Sequence, residues 1–307
     1  MELSLGSLRT IRTVAERRSF TAAAAELGYT QSAVSRQVAA AERELGTKLF
    51  DRVRGGVRLT NTGSMVLRQV VIALNALDQA QQDIRPTIPS LRRLRLGAFS
   101  AAGSALLPRS IAALCSAHAD LEVSTRQGTT PALVRGVRSG SLDGALIAER
   151  QPYRSPDQEA PPLVGHALLD IRLMLAASAN GRFSGLRSVH YEEAAREAWI
   201  ATPSGSDEPQ LGVWPGLPGR PRVRHWARDW NTKLALVAEN VGVTTIPAEL
   251  FPSLPVGVAL LGIDGVPDEL RRVTLVHRHD ADRQTVDALV NAFGSAAAAL
   301  AAAVQPT

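Results

Sequence analysis

Residues 19–46 read SFTAAAAELGYTQSAVSRQVAAAERELG. This stretch decides how the rest of the chain is read. Ser19 is placed to cap a first helix whose inward face is Phe20, Ala23, Ala24 and Leu27, and Gly28 supplies the backbone freedom that stops it after two turns. Thr30 then caps a second helix, which turns Val34, Val38 and Ala41 to one side and leaves Gln31, Ser32, Ser35, Arg36 and Arg43 pointing elsewhere. Ala24, Gly28 and Val34 fall where a helix-turn-helix needs a small residue, a turn residue and a core-facing branched residue.

The second helix carries what a major-groove reader needs. Gln31 can bond bidentately to adenine and Arg36 to guanine, while the short Ser32 and Ser35 let the backbone approach base edges and phosphates. A helical hairpin on the surface of an enzyme is the alternative reading, since solvated helix faces also carry Gln, Ser and Arg.

Working outward, residues 6–17 place Leu8, Ile11, Val14 and Ala15 at helical spacing behind Leu5, as a packing helix would. After Gly46, KLFDRVRGGVRLT sets Phe50 ahead of two short extended pieces joined through Gly55 and Gly56, the pattern of a small hairpin or wing. Arg52, Arg54 and Arg58 decorate it. Arg54 at the tip is read as a minor-groove or phosphate contact, against the alternative of a solvated loop charge. From Asn61 to Arg85 no proline occurs, and Leu67, Val70, Leu74, Leu77 and Ile84 recur at alternating steps of three and four. A helix of about 25 residues spans roughly 37 Å, so a partner helix from a second subunit is expected on this stripe; packing onto its own domain is the alternative. Pro86 and Pro89 end the helix and PTIPS reads as a linker.

Strand and helix patterns alternate from about Arg92. RLRLGAF, a helix over 104–117, LEVSTR, a helix over 131–138 and LDGALIA form a βαβαβ run, which implies a parallel sheet with helices on its faces. The polar, proline-rich stretch 148–162 is the expected crossing between two lobes. A second series follows: LLDIRLMLAA, a helix over 191–196, AWIAT, a Gly/Pro-rich loop over 203–221, RVRHW, a helix over 232–240 and VGVTTIP. RRVTLVHRH and an Ala-rich helix over 281–304 close the chain. The expected organisation is residues 1–60 as the helix-turn-helix, 61–91 as linker helix and hinge, and 92–307 as a two-lobed α/β unit, with one lobe over 92–160 and 266–307 and the other over 161–265. Ser100 follows the first strand of this unit and precedes a helix, the position where parallel α/β sheets present hydroxyls to ligands. Thr202 occupies the analogous place after AWIA, and Thr244 and Thr245 lie in the strand ahead of Pro247.

Composition narrows the function classes. The chain has 307 residues, 45% hydrophobic and 21% charged, with a net charge of +5, ordinary for a globular protein of two or three domains. Residues 1–90 hold 12 basic and 8 acidic side chains, so most of the positive excess is amino-terminal, as phosphate contact by the first domain requires. A single cysteine, Cys115, excludes an internal disulfide; it is read as a small hydrophobe on an apolar helix face. No signal peptide is visible, and the longest membrane candidate, Ala296 to Val304, is half a span, so the expected location is cytoplasmic. His277 and His279 share one face of a strand without a third ligand nearby, so no metal or other cofactor is expected. No nucleophile elbow, phosphate loop or dinucleotide fingerprint occurs, so no catalytic residue is assigned.

The chain resembles the LysR-type transcriptional regulators along essentially its whole length. The resemblance is densest from Phe20 to Gly63, through SFTAAAAEL, TQSAVSRQV, ERELGTKLFDR and GGVRLTNTG. It continues more loosely in RLRLGAFS followed by LLP, then SGSLDGALI, AWI and LVAENVGVTTIP. It implies a winged helix-turn-helix, a dimer joined by the linker helix that can extend to a tetramer, and an effector domain similar to periplasmic binding proteins. A small molecule would be held between the lobes at strand ends, at Ser100, Ala101, Thr202, Thr244 and Thr245. A double-stranded DNA operator and RNA polymerase are the implied macromolecular partners, and no membrane is. Asn240, where the family often has Gly, and the Gly/Pro-rich loop over 203–221 depart from the pattern near the expected cleft. An enzyme on the α/β half with a DNA-binding appendage is the competing function, and an architectural DNA-binding protein without a ligand is the other.

Overall fold

Side-chain caps start each of the first three helices in the computed structural model, which describes residues 3–53, 55–83, 92–153, 162–203, 212–219, 221–251 and 254–304. Helix α1 (Leu5–Arg17) begins at Ser4, α2 (Phe20–Leu27) at Ser19 and α3 (Gln31–Leu45) at Thr30, each cap accepting a hydrogen bond from the N–H three residues on. Such caps satisfy donors that the first turn leaves without intrahelical partners. Gly28 ends α2 with φ +69°, a left-handed conformation that costs glycine nothing. Ile11, Val14, Ala23, Ala24, Val34, Val38 and Ala41 then meet in one buried cluster with Leu49, Phe50 and Val57.

The wing forms as its sequence implies: β1 (Phe50–Val53) pairs antiparallel with β2 (Gly56–Leu59). Its position is set from α3. The Glu42 carboxylate accepts hydrogen bonds from the Leu49 and Phe50 N–H groups at 2.8 and 3.2 Å and pairs with Lys48 at 3.1 Å. Phe50 packs edge-to-face on Phe20 with ring centroids 6.2 Å apart.

Helix α4 (Asn61–Asp83) follows a Thr60 cap that accepts from the Gly63 N–H at 2.8 Å. Gly63 is required by proximity, because a Cβ there would lie 2.1 Å from the Leu49 carbonyl oxygen. The helix is therefore pressed onto its own domain, and this corrects the expected partner-facing stripe. Leu67, Val70 and Leu74 are 3%, 4% and 2% exposed within one chain, and Val71 is fully buried. Leu67 and Val71 belong to the amino-terminal core, with α1 packed alongside. The stripe's periodicity identifies a face that must be covered and says nothing about what covers it. Leu77 is exposed, and so are Met65 and Ile72 on the opposite side of the helix. Ile84 lies outside the described residues.

In the second unit, β3 (Arg92–Ala98), α5 (Ser100–Ala105), α6 (Leu107–Ala117), β4 (Leu121–Gln127), α7 (Thr130–Arg138) and β5 (Gly144–Arg150) make the expected run, with β3 parallel to both β4 and β5. Strand β6 (Val164–Ser178) has 15 residues. It is followed by β7 (Ser188–His190), α8 (Tyr191–Ala195), β8 (Ala198–Ala201), β9 (Arg222–Trp226), α9 (Trp230–Ala238), β10 (Thr244–Pro247), a 3-10 turn at Ala248–Leu250, β11 (Val258–Asp264), β12 (Leu270–His277) and α10 (Arg283–Val304). The run is parallel as expected, and the sheet as a whole is mixed, ordered β4-β3-β5-β12-β6-β11-β7 with β10 also on β6. Strand β12 runs antiparallel to both β5 and β6, because the chain returns to the first lobe from the far end of the second.

Strand β6 pairs with β12 over residues 164–172 and with β10 and β11 over 173–178. It is thus continuous between a core built on Leu94, Leu96, Leu275 and Phe293 and another built on Leu175, Trp199, Leu261 and Ile263. Among the described residues this strand crosses between the lobes; most of the polar stretch expected to cross, residues 154–161, lies outside the described residues. Strands β7 and β11 have no counterpart in the sequence reading. Part of the Gly/Pro-rich loop is core: Val213, Trp214 and Leu217 are buried with Trp199. Cys115 is exposed, because α6 turns Leu107, Ser110 and Leu114 inward and leaves Cys115 about 100° from Leu114. By length and composition Arg283–Ala302 could cross a membrane, longer than the segment read from sequence; here Leu289, Phe293, Ala297 and Leu300 pack into the first lobe.

The two units touch within one chain. Glu16, in the last turn of α1, pairs with Arg126 at 2.6 Å, and its carbonyl accepts from Arg135 Nε at 2.9 Å. Gly140 lies against Val71.

Glu42→Ala leaves two N–H groups at the start of β1 without their acceptor. Urea unfolding should show a loss of about 1–3 kcal/mol; an unchanged midpoint would mean water replaces the carboxylate at no cost.

Candidate functional site

Two places collect the candidate residues. At the amino-terminal end of α3, Gln31, Ser32 and Arg36 are exposed and Ser35 is half-buried, while Arg52 is exposed on β1. Thr30 and Ser32 hydroxyls lie 3.1 Å apart. These side chains share the outward side of a helix whose other side holds Val34, Val38 and Ala41 in the core. Arg54 lies outside the described residues. Sequence reasoning passed over Tyr29, which is 51% exposed in the turn before α3; an aromatic between the stop glycine and the cap was the available signal.

The second place lies where the lobes meet. Trp230, at the start of α9, and Phe251 form an edge-to-face pair with centroids 4.9 Å apart, and both pack against the cores of the first and second lobes. Helix α5, beginning at Ser100, packs against the Ala248–Leu250 turn that precedes Phe251. Ser100 and Thr202 are half-buried. Ala101 is corrected: its side chain is 2% exposed within the first core, since it takes the inward position on α5. Thr244 is corrected too. Its buried hydroxyl donates to the carbonyls of Ile200 at 2.8 Å and Gly212 at 3.2 Å, so it ties the β10 backbone to β8 and the following loop. Thr245 is also buried, on the same strand.

The residue that sequence reasoning missed is Lys233. It is 2% exposed, its ammonium donates to Thr202 Oγ1 at 2.6 Å, and it lies 4.6 Å from the centroid of the Trp230 ring. Trp230, Lys233, Leu234 and Val237 share the inward side of α9. A lysine at a core position, in a chain whose other 32 basic side chains besides Lys48 are arginines, was a legible signal. Loss of hydration lowers its pKa to about 8, opposed only by the nearby negative charge of Asp229. That carboxylate is exposed and caps α9 through the Thr232 N–H.

Asn240 is remote from this point. It follows the opposite end of α9 with φ 56°, a left-handed position that asparagine tolerates better than most residues, which explains a residue standing for glycine. With Ser178, Gly181 and Arg182 it lines a cavity of about 160 Å³ at the outer end of the second lobe. His277 pairs with His166 across β12 and β6, the two Nε2 atoms 3.0 Å apart, and its Nδ1 faces the Arg278 carbonyl oxygen at 2.7 Å. Desolvation holds His277 below the usual histidine range. The exposed His279 is not its neighbour on that face. Among the described residues no three potential ligands from His, Cys, Asp and Glu converge.

Residues 5–64 match the family described as bacterial regulatory helix-turn-helix protein, lysR family, and residues 89–298 match the LysR substrate binding domain. The chain belongs to the LysR family of transcriptional regulators. It is 28% identical over 252 residues to the transcriptional dual regulator GltC of Bacillus subtilis, covering 81% of this chain and 82% of GltC. It is 29% identical over 210 residues to the RuBisCO operon transcriptional regulator of Allochromatium vinosum, covering 67% and 66%. Among solved structures, full-length OxyR of Pseudomonas aeruginosa superposes with TM-score 0.60 at 22% identity over 95% of both chains. CbnR in complex with its target DNA superposes with TM-score 0.53 at 18% identity over 95% and 99%. These likenesses establish the fold as a LysR helix-turn-helix with an α/β effector domain, and the family as one of regulators, not enzymes.

Burial of the Lys233 ammonium has a direct consequence for stability. Its pKa is 10.5 before folding and about 8 after, so below pH 8 folding carries a cost of roughly 3 kcal/mol that fades as the pH rises from 8 to 10.5. Lys233→Met should raise the unfolding free energy of the ligand-free LysR protein at pH 7 by up to that amount, and the gain should shrink across the same window. Denaturant melts at pH 7 and pH 10 test this; a variant less stable at pH 7 would show that the Thr202 and Trp230 contacts outweigh the desolvation.

Proposed function

We propose that this LysR-family chain is a sequence-specific, effector-responsive regulator that binds a double-stranded operator as a homodimer, or as a tetramer of two such dimers. Residues 1–60 serve as the winged helix-turn-helix, 61–91 as linker helix and hinge, and 92–307 as the effector domain. Gln31, Ser32, Ser35 and Arg36 read base edges and phosphates, and Arg52 and Arg54 hold the wing against the backbone. The observation that carries the reading is the exposure of polar Gln31, Ser32 and Arg36 on a helix whose opposite side is locked into the core. A small molecule between the lobes, near Ser100, Thr202 and Thr245, favours one arrangement of the effector domain and so changes how the operator is held. RNA polymerase is the further partner through which occupancy reaches transcription, and the cytoplasm is where these partners are met.

Arg36→Ala should weaken operator binding by about 1–3 kcal/mol, relax the preference at one base pair and affect random DNA much less. Fluorescence anisotropy on operator and scrambled duplexes measures both. Equal losses on the two would reduce Arg36 to a phosphate contact.

For the dimer, the buried positions on α4 are occupied within the chain, which leaves Met65 and Ile72, seven residues apart and exposed, as the face for a partner helix. Ile72→Asp should lower the mass seen by light scattering to that of a monomer while the circular dichroism spectrum stays native. Leu74→Asp should unfold the amino-terminal domain, because it buries an unpaired charge. A dimer that survives Ile72→Asp would place the interface elsewhere.

A further inference from the structure

The Lys233 ammonium has no acidic partner among the described residues. It is almost wholly removed from water, yet no described carboxylate forms an ion pair with it; its described contacts are the Thr202 hydroxyl and the face of Trp230. Asp229, one turn earlier on the same helix, is turned to solvent and engaged by the Thr232 N–H. Buried charges are ordinarily paired, because an unpaired one carries its desolvation uncompensated. The three N–H bonds of an ammonium also exceed what one hydroxyl and one ring can accept. Such a group is retained where something arrives to complete it, and its place is the junction of the two lobes, with Trp230 and Phe251 beside it and the half-buried Thr202 in front.

We infer that Lys233 is the charge-recognition residue of the interlobe cleft and that the effector carries a carboxylate, received by the Lys233 ammonium together with the Thr202 hydroxyl. This inference rests on the cleft reading above and adds to it the chemistry of the ligand. A single ammonium with a single hydroxyl matches one negative charge. It does not match a phosphate dianion, which is met more fully by several cations or by the planar fork of arginine. The Trp230–Phe251 pair gives the carboxylate an apolar wall, so an organic acid fits better than a hydrated inorganic anion. When the carboxylate binds, the ammonium gains a hydrogen-bonded counter-charge that the solvent-turned Asp229 does not supply. Because Lys233 and Thr202 belong to the second lobe while Ser100 belongs to the first, a ligand touching all three would favour the closed arrangement.

The chain's lysine content makes the test direct. Only Lys48 and Lys233 are lysines, and Lys48 is exposed beside Glu42, so full-length protein labelled with carbon-13 at lysine Cε gives one resonance for the site and one internal reference. Its pH titration is followed alone and with acetate, succinate or benzoate, against acetamide, succinamide, benzamide, sulfate and phosphate at matched ionic strength. At least one carboxylate should raise the Lys233 pKa by about one unit or more, which equals a tenfold preference for the protonated lysine, and leave Lys48 unmoved. The amides should have no effect, and Thr202→Val should reduce the shift. The inference is overturned if no carboxylate moves Lys233, if sulfate or phosphate moves it more than every carboxylate, or if amides move it equally. A neutral compound that raises the melting temperature through Ser100 and Thr202, with Lys233 silent, would overturn the carboxylate and keep the cleft. A carboxylate that shifts Lys233 without changing operator affinity would support the site and count against the regulatory reading instead.

Discussion

The effector domain depends on β6, one strand whose hydrogen bonds serve the sheets of both lobes. Over residues 164–172 this strand pairs along one edge with β12 in the first lobe's sheet, and over 173–178 it pairs with β10 and β11 of the second, on both edges at Leu175 and Ala176. Because this strand is shared, relative motion of the lobes must be taken up by its twist, by the register shift opposite Val273 and Thr274 and by the connections beside it. The residues of the proposed cleft are arranged around this strand. Thr202 leaves β8, Lys233 and Trp230 come from α9, which packs on β6, and Phe251 follows the turn after β10, which pairs with β6. The site is therefore built on sheet-supported positions, even though its residues are far apart in sequence.

Placing a lysine at such a point sacrifices stability. The same helix position filled by an aliphatic side chain would extend the row of Leu234 and Val237. The ammonium instead stays desolvated, held by a hydroxyl and an aromatic face. That choice is understandable when the group acts on a ligand, since the energy withheld from folding becomes available to binding. Thr244 shows the opposite case: a hydroxyl on a strand end, equally plausible as a contact, spends its hydrogen bonds on two carbonyls of its own chain.

The DNA-binding unit is organised by local bonds. Ser4, Ser19, Thr30 and Thr60 cap successive helices, and Glu42 joins the wing to the recognition helix. Among the described residues its contacts with the effector domain include Glu16 with Arg126 and Arg135 and Val71 against Gly140. A change in the effector domain can reach α1 through these residues, and α1 shares its core with α3.

The sequence by itself determined the local units. Caps, stop glycines and the spacing of Val34, Val38 and Ala41 placed the three helices and the wing, because each of those signals acts within a few residues of itself. The same held for the βαβαβ run, whose short right-handed connections leave little freedom. What tertiary structure decided was partnership. The stripe of Leu67, Val70 and Leu74 had to be covered, but only the folded chain shows that all three are buried within it, Leu67 against the amino-terminal core, and that Met65 and Ile72 are left outside. The antiparallel return of β12 and the double allegiance of β6 depend on pairings 68 or more residues apart, which no local pattern encodes. Lys233 was visible as an odd residue on an apolar helix face; that it meets Thr202, 31 positions away, at the seam of two lobes follows only from the packing that brings those elements together.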